Sequence, residues 1–487
     1  MNPSSSNPVR ALQRWRHQLT VPQFTVVTGL LVIVLATLLL STPLCSTSNV
    51  GLWQALFTAT SAITVTGLSV IDVGKDLTFA GQVVLAGLIV TGGLGLMAIT
   101  TFLQGFVQGR SGLRHRLDKG RSLDEFGVGG IGPTFHSILL VALCVMGLGT
   151  VVLYSFGFTD IDDPGRRLWA SMFHAISAYN NAGFGLWSNS LENYRDNPVV
   201  TGVIALMIVI GGIGWRVAND IWNNRFLLRR LRRLSLHTRL VIRSTALLIA
   251  IGAAGLLITE HFGYGASAME PYSFVQRLQI VLFQSITTRT AGFYTIPLSA
   301  NQITDAGLLL IIVLMFIGAS PGGTGGGVKT TTFAILMGAT RSTLQGRSDV
   351  LLHRRQIPDA TVLRAVGVTL ASALFVVLMA LTLGLGNSLG QQQDQSFSFL
   401  EKLFTCVSAF GTVGLDLGVT AHLNRWGQLV LMVGMFVGRV GILLLLSALY
   451  GHRHQSRVGY PKEDLYCLLY TSPSPRDLST SRMPSSA

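Results

Sequence analysis

The sequence predicts an all-α membrane protein: four helix–pore loop–helix repeats, giving eight transmembrane helices plus four re-entrant pore helices around one central pathway. Three observations predict it. The first is composition. The 487 residues are 49% apolar and 12% charged, with a mean hydropathy of +0.51, whereas a soluble chain carries about 25% charged residues. Uncharged runs such as Phe24 to Cys45, Ile138 to Leu153, Val199 to Trp215, Ser244 to Thr259 and Gly427 to Val437 reach or approach spanning length. The second is a repeat. FTATSAITVTGL (Phe57 to Leu68), FHAISAYNNAGF (Phe173 to Phe184), FQSITTRTAGF (Phe283 to Phe293) and FTCVSAFGTVGL (Phe404 to Leu415) each stand between two apolar stretches. The third is charge order. Lys and Arg cluster at Arg10 to Arg16, Arg110 to Arg121, Arg216 to Arg243 and Arg341 to Arg364, while acids such as Asp72, Asp160, Asp163, Glu192, Glu260 and Asp305 flank the half-polar segments.

These observations order the chain. Residues 1–19 form a basic cytoplasmic N-terminus, and no cleavable signal is expected because the first apolar run is long and lacks a cleavage site. Repeat 1 occupies 20–104, repeat 2 133–218, repeat 3 240–341 with a broken second helix, and repeat 4 360–451; a cytoplasmic tail follows at 452–466. Basic segments stay inside, so both termini are cytoplasmic and the acidic rims face outward, where they concentrate cations. The net charge of +14 is then a topology signal, and no nucleic-acid partner is expected. RFLLRRLRRLSLHTR (Arg225 to Arg239) reads as a surface helix against membrane lipid or a partner. Cys45, Cys144, Cys406 and Cys467 lack metal or pairing spacing and read as small apolar fillers.

Each half-polar segment is too polar to span a bilayer and too short to be a domain, so it dips in and returns. Irregular backbone at that depth must be buried in protein or line water. Four copies around one axis make a ring of backbone carbonyls, the device that replaces the hydration shell of a potassium ion. The candidate filter residues are Val65, Thr66 and Gly67; Asn181, Ala182 and Gly183; Thr290, Ala291 and Gly292; and Thr412, Val413 and Gly414. Glycine supplies the backbone angles that turn carbonyls to the axis. Each copy carries a Ser or Thr (Ser61, Ser177, Thr287, Ser408) four residues after its Phe. Arg289 and Asn180 are expected to brace the loops. No resident metal or cofactor is expected beyond the transported monovalent cation, and no enzymatic activity.

A second constellation, GASPGGTGGGVKTTT (Gly318 to Thr332), breaks the second helix of repeat 3, since six glycines and a proline cannot continue it. It is not a nucleotide loop: Val328 separates Gly327 from Lys329, and the flanks are helical. Its residues Gly318, Ser320, Pro321, Gly322, Gly323, Thr324, Gly325, Gly326, Gly327 and Lys329 read as a movable gate below the filter; a passive helix break is the alternative. Arg439 interrupts LVLMVGMFVGRVGILLLL (Leu429 to Leu446). Facing lipid it would cost roughly 2.5–3.5 kcal/mol or more, so it is expected to face inward against the gate and raise a barrier to cations.

SAITVTGLSV, SAYNNAGFGL, TTRTAGF, GASPGGTGGGVKTTTF and MFVGRVG together resemble the superfamily of Trk, Ktr and plant high-affinity (HKT) potassium transporters, over almost the whole chain to about Asp464, with a gate motif of the Ktr type. The resemblance implies a Ktr-type membrane subunit of a bacterial inner membrane, forming a homodimer. Potassium would be taken up through the filter, under control of a cytoplasmic ring of nucleotide-binding regulatory subunits that bind ATP or ADP. The alternatives are a sodium-selective or sodium/potassium member, which a serine at the first filter position would favour and Gly67 opposes; an alternating-access secondary transporter, which should show more mid-span charge; and a subunit of an ATP-driven sodium pump.

From Cys467 the chain reads CLLYTSPSPRDLSTSRMPSSA, which resembles the translation of a sequencing-library adapter. Residues 467–487 are therefore expected to be non-native, with the natural sequence departing near Tyr466. Resequencing the locus is expected to replace this tail; a genomic clone that encodes it unchanged would make it an ordinary C-terminus.

Overall fold

The computed structural model describes residues 21–47, 50–95, 131–223, 234–262, 272–299, 302–347, 349–353, 355–389, 397–442 and 445, all within one compact unit spanning 1–449. The expectations for residues 1–19, for most of the basic stretch after Asn223, and for 452–466 and 467–487 fall outside the described residues.

The described chain is mostly helical, with almost no sheet, and its elements are taken in four segments. In the first segment α1 (Val21–Leu40) is followed by α2 (Leu52–Thr64), a short α3 (Val73–Asp76) and α4 (Phe79–Val90), which widens into a π-turn at Thr91–Gly95. The second has α5 (Ile131–Val152), α6 (Pro164–Asn180), α7 (Pro198–Ile213) and α8 (Trp215–Asn223). The third has α9 (Leu236–Phe262), α10 (Phe274–Thr287), α11 (Asp305–Phe316) and, after a non-helical stretch, α12 (Thr330–Leu344). A two-stranded hairpin, β1 (Leu351–Leu352) with β2 (Arg355–Gln356), leads to the fourth: α13 (Asp359–Leu389), α14 (Phe399–Gly411), α15 (Val419–His422) and α16 (Arg425–Val440). By length and composition three described helices can cross a membrane, Ser137–Gly157, Leu236–Phe262 and Asp359–Leu385; a fourth span arises if α7 and α8, bent by 94°, count as one. Val26–Leu40, Phe79–Gly95 and Asp305–Phe316 are apolar but shorter.

Local chemistry sets the helix starts. Ser273 and Ser398 open α10 and α14 as capping boxes with Gln276 and Glu401, each satisfying two backbone N–H groups that a helix start leaves orphaned. Pro164 stands just inside α6, behind Asp163, whose carboxylate accepts from Gly165 N. The helices α4, α7, α11 and α16 start at side-chain caps Thr78, Asn197, Thr304 and Asn424. Fourteen residues after each cap stands a glycine: Gly92, Gly211, Gly318 and Gly438. A side chain at Gly92, Gly211 or Gly438 would collide with a backbone carbonyl near the end of a short helix, that of Ile63, Tyr179 or Phe410. At Gly318 the obstructing carbonyl is instead Gly326 O, within the third segment's own loop.

The short helices α2, α6, α10 and α14 are the buried heart of the unit, with Phe57, Phe173, Phe283 and Phe404 all at most 3% exposed. They are pinned to the preceding segment four residues before that Phe. Trp53 Nε1 donates to Gln428 Oε1 at 2.6 Å, Trp169 Nε1 to Gln82 Oε1 at 2.7 Å, and Gln279 Nε2 to Thr201 Oγ1 at 2.9 Å. Each acceptor lies four residues after one of the caps Thr78, Asn197 and Asn424. The corresponding residues at the remaining seam are Leu400 and Leu308, both in one apolar cluster. The contacts therefore close in the order first, second, third, fourth, first.

Gln428→Leu leaves the Trp53 indole N–H unpaired, which should destabilise the protein by about 1–3 kcal/mol, read as a lower Tm in detergent. In a Trp53→Phe background the same change should cost little; equal drops in both backgrounds would remove the pair from this account.

Candidate functional site

Where α2, α6, α10 and α14 end, the chain turns into four loops. α2, α6 and α14 close on a left-handed residue, Val65 (φ 57°), Asn181 (φ 58°) and Thr412 (φ 50°), and Thr290 (φ 82°) stands at the same position in the third loop. Two residues later each loop has a positive-φ glycine: Gly67 (φ 92°), Gly183 (φ 70°), Gly292 (φ 78°) and Gly414 (φ 90°). Positive φ at alternate residues rotates successive peptide planes. It is costly at the branched Val65, Thr290 and Thr412, so the surroundings must hold it. They do so by burial, each of these residues being fully enclosed, and by hydrogen bonds back to the helix end. Thr66 N donates to Ser61 O, Ala182 N to Ser177 O and Val413 N to Ser408 O, each at 2.8 Å, and Ala291 N to Thr287 O at 2.9 Å.

The loops meet glycine against carbonyl. A Cβ at Gly183 would stand 2.9 Å from Ala291 O, and at Gly67, Gly292 and Gly414 it would overlap Ala182 O, Val413 O and Thr66 O. Thr66, Gly67, Ala182, Gly183, Ala291, Gly292, Val413 and Gly414 thus meet at one place, in the same circular order as the seams; Val65, Asn181, Thr290 and Thr412 lie buried two residues before the glycines. Of the four marked hydroxyls, Ser61 and Ser408 accept from Gly67 N and Gly414 N at 3.1 Å, whereas those of Ser177 and Thr287 are buried with no partner among the described residues. The amide of Asn181 meets Thr290 Oγ1 at 3.3 Å, linking the second and third loops. Beyond α14, burial raises the Asp416 carboxyl above its usual range despite hydrogen bonds from Thr420, Thr405 and Gly418. Burial and then the charges of Glu192 and Asp416 push Tyr294 up to about 12.

On the opposite side lies the stretch from Gly318 to Lys329. It is folded on itself: Gly318 N donates to Val328 O (2.9 Å), Ala319 N to Gly326 O (3.3 Å), Ser320 Oγ meets Thr330 Oγ1 (2.9 Å) and Lys329 Nζ donates to Gly325 O (2.7 Å). It is also tied outward. Ser320 N and Thr324 N donate to Gly212 O and Gly211 O at 3.1 Å, and Trp215 N donates to Gly322 O at 3.2 Å. Gly326 N donates to Thr412 Oγ1 at 2.9 Å, and a Cβ at Gly325 would strike Thr290 Oγ1. Gly323 fits only because it lacks a side chain beside Gly212 O. Pro321 and Gly327 are half-buried, and Gly322 through Gly326 are buried. The stretch is a packed plug touching two of the four loops, not a loose tether.

Arg439, 8% exposed, joins this plug to the first segment. Its guanidinium donates to Thr324 O, to Gly92 O (2.7 Å) and to Gly93 O (3.3 Å); the π-turn at Thr91–Gly95 frees those carbonyls for it. Charged donors to three carbonyls keep the cation buried without a carboxylate. Arg289 and Asn180 depart from their expected role. Arg289 Nη2 reaches Gly318 O (3.1 Å) and Nη1 Thr245 O (3.4 Å), so it braces the plug. Asn180 Nδ2 returns to Ile176 O (2.9 Å) on its own helix, and its amide oxygen occupies the space that a side chain at Gly93 would need. Sequence reading passed over His174, which is buried behind the second loop, stacked on Trp187 at 4.3 Å and bonded to Ala170 O through Nδ1; a lone apolar-face histidine carries no motif.

Residues 10–450 match the family model described as TrkH, cation transport protein. The chain is 34% identical over 450 residues to Ktr system potassium uptake protein B of Bacillus subtilis, covering 92% of this chain and 96% of that protein. It is 33% identical over 414 residues to potassium/sodium uptake protein NtpJ of Enterococcus hirae, covering 85% and 89%. Its fold is similar to the crystal structure of the potassium transporter TrkH from Vibrio parahaemolyticus, with TM-score 0.65, 20% identity and coverage of 83% and 79%.

Gly414→Ala and Gly418→Ala separate backbone strain from contact, since both positions have positive φ but only Gly414 faces a neighbouring carbonyl. Gly418→Ala should cost about 1–2 kcal/mol. Gly414→Ala should lower the Tm further or abolish a monodisperse species in detergent; equal effects would mean that the ring contact is slack.

Proposed function

The chain belongs to the TrkH family of cation transport proteins, and from that premise we propose that it takes up potassium through the centre of the four-loop ring. The observation that carries the reading is the glycine-against-carbonyl closure at Gly67, Gly183, Gly292 and Gly414, which turns the carbonyls of four loops about one point. Carbonyl oxygens replace hydration water without the full charge that would trap the ion. The chain would work as the membrane subunit of a two-component system in the bacterial plasma membrane, both termini inside, eight spans in four repeats, paired with a second copy. A nucleotide-binding ring would dock on the inner basic face, so that ATP or ADP acts through the partner. Entry would be driven by the membrane potential, worth about 2.3 kcal/mol per charge per 100 mV.

In this reading the stretch Gly318 to Lys329 is the gate. Its buried bonds to Gly211, Gly212 and Thr412 describe a closed position, and opening must exchange them for others or for water. Arg439 supports the reading twice. It latches the plug to the first segment through Thr324 O and Gly92 O, and its charge opposes a cation below the filter. The second reading, sodium or mixed transport, draws on the likeness to the potassium/sodium uptake protein.

The test is rubidium and sodium uptake in cells lacking their own potassium importers, with the regulatory partner co-expressed. Rubidium uptake is expected, with Gly67→Ser lowering the rubidium-to-sodium ratio and Arg439→Ala raising turnover. Sodium uptake alone would transfer the chain to the second reading, and unchanged flux in Arg439→Ala would remove the latch.

A further inference from the structure

The loop and its ring leave one built cavity without a role. It holds about 360 Å³ and lies at the far end of α12, where Arg341, Ser342, Gln345 and Arg347 face the hairpin residues Leu352 and His353. α12 ends in a tight cap: Arg347 N donates to Ser342 O at 2.9 Å and Gly346 takes φ 63°. That turn carries Arg347 back beside Arg341. The hairpin is held over them by Leu352, which packs against the bare Cα of Gly338, and by His353 at the turn, itself in the left-handed region at φ 52°.

The cavity is lined by Arg341, Arg347 and His353 together with Ser342 and Gln345, which can donate. Arg243 donates to His353 Nε2, which leaves the imidazole proton on Nδ1, a buried atom with no acceptor among the described residues. Arg239 Nε is likewise buried without a partner among the described residues. Neither Arg341 nor Arg347 makes an ion pair among the described residues, and no lining residue is acidic. Burial and then the charges of Arg243 and Arg239 hold His353 below its usual value. A buried N–H without an acceptor costs about 1–3 kcal/mol, and arginines in pairs match the oxygens of a phosphate.

We propose that this cavity binds a phosphate group, supplied by an anionic lipid headgroup or by a soluble phosphate compound. α12 begins at Lys329, the end of the glycine loop, so an occupant would clamp the helix to which that loop is joined. The site is defined by its donors and stands whether or not the loop is a gate.

The test is the thermal shift of the purified full chain in detergent with phosphatidylglycerol, phosphatidylcholine or inorganic phosphate added. Phosphatidylglycerol or phosphate should raise the Tm, phosphatidylcholine less so. The Arg341→Gln/Arg347→Gln variant should weaken that response by about tenfold in midpoint concentration or more, while Arg355→Gln/Arg364→Gln, outside the cavity, should leave it unchanged. All four side chains are exposed, so folding should survive, as size-exclusion chromatography would report. A response to phosphatidylglycerol alone makes the source a lipid, and a response to phosphate makes the free group sufficient. No shift with either, or equal loss in both double variants, overturns the site.

Discussion

Four stretches of backbone meet at one place, and only glycine can stand where they touch. Each of Gly67, Gly183, Gly292 and Gly414 has positive φ and presses on the carbonyl of the next loop round. The contact is mutual and circular, so no loop can shift without displacing its neighbour. Everything near it follows from holding that geometry. The short helices are buried because their ends must not move, and their Phe residues fill the space behind them. Ser61 and Ser408 bend their hydroxyls back to the glycine N–H groups. The three polar seams fix the outer ends of the same helices.

The glycine-rich stretch belongs to this scheme as its one exception. In three segments the glycine fourteen residues after the cap of α4, α7 or α16 lies against the end of a short helix. In the third, Gly318 lies against Gly326 of its own loop. The third loop is also one residue shorter between its Phe and its glycine than the other three. The space that a continuous helix would fill is taken by the plug, and Arg289, which the shortened loop directs inward, holds it by Gly318 O. One segment thus differs from the other three at the glycine where they match.

Much of this could be read in the chain before any coordinates. The four glycine-ended segments stood out because half-polar sequence between apolar helices has few uses, and the break at Gly318 because no helix tolerates that run. Arg439 had to face inward for want of any other place, though nothing in its flanks pointed to Gly92 and Gly93. Gly92, Gly211 and Gly438 were lost among the 54 glycines in the chain, since a glycine chosen for close approach looks like any other. The sharp bend after Ile213 and the hairpin at Leu351–Gln356 left no periodic trace. Bends made by packing and strands of two residues are decided by tertiary contacts that local sequence does not encode.

The seam between the third and fourth segments differs from its three counterparts in kind. A hydrogen bond between side chains prescribes a distance and an angle; a leucine facing a leucine prescribes only that water stay out. Leu308 and Leu400 lie in a shared apolar cluster, so that joint carries no direction of its own, where Trp53 and Gln428 fix one at 2.6 Å. The joint beside the segment carrying the plug is thus the one whose matched pair is held by the exclusion of water and not by a polar contact.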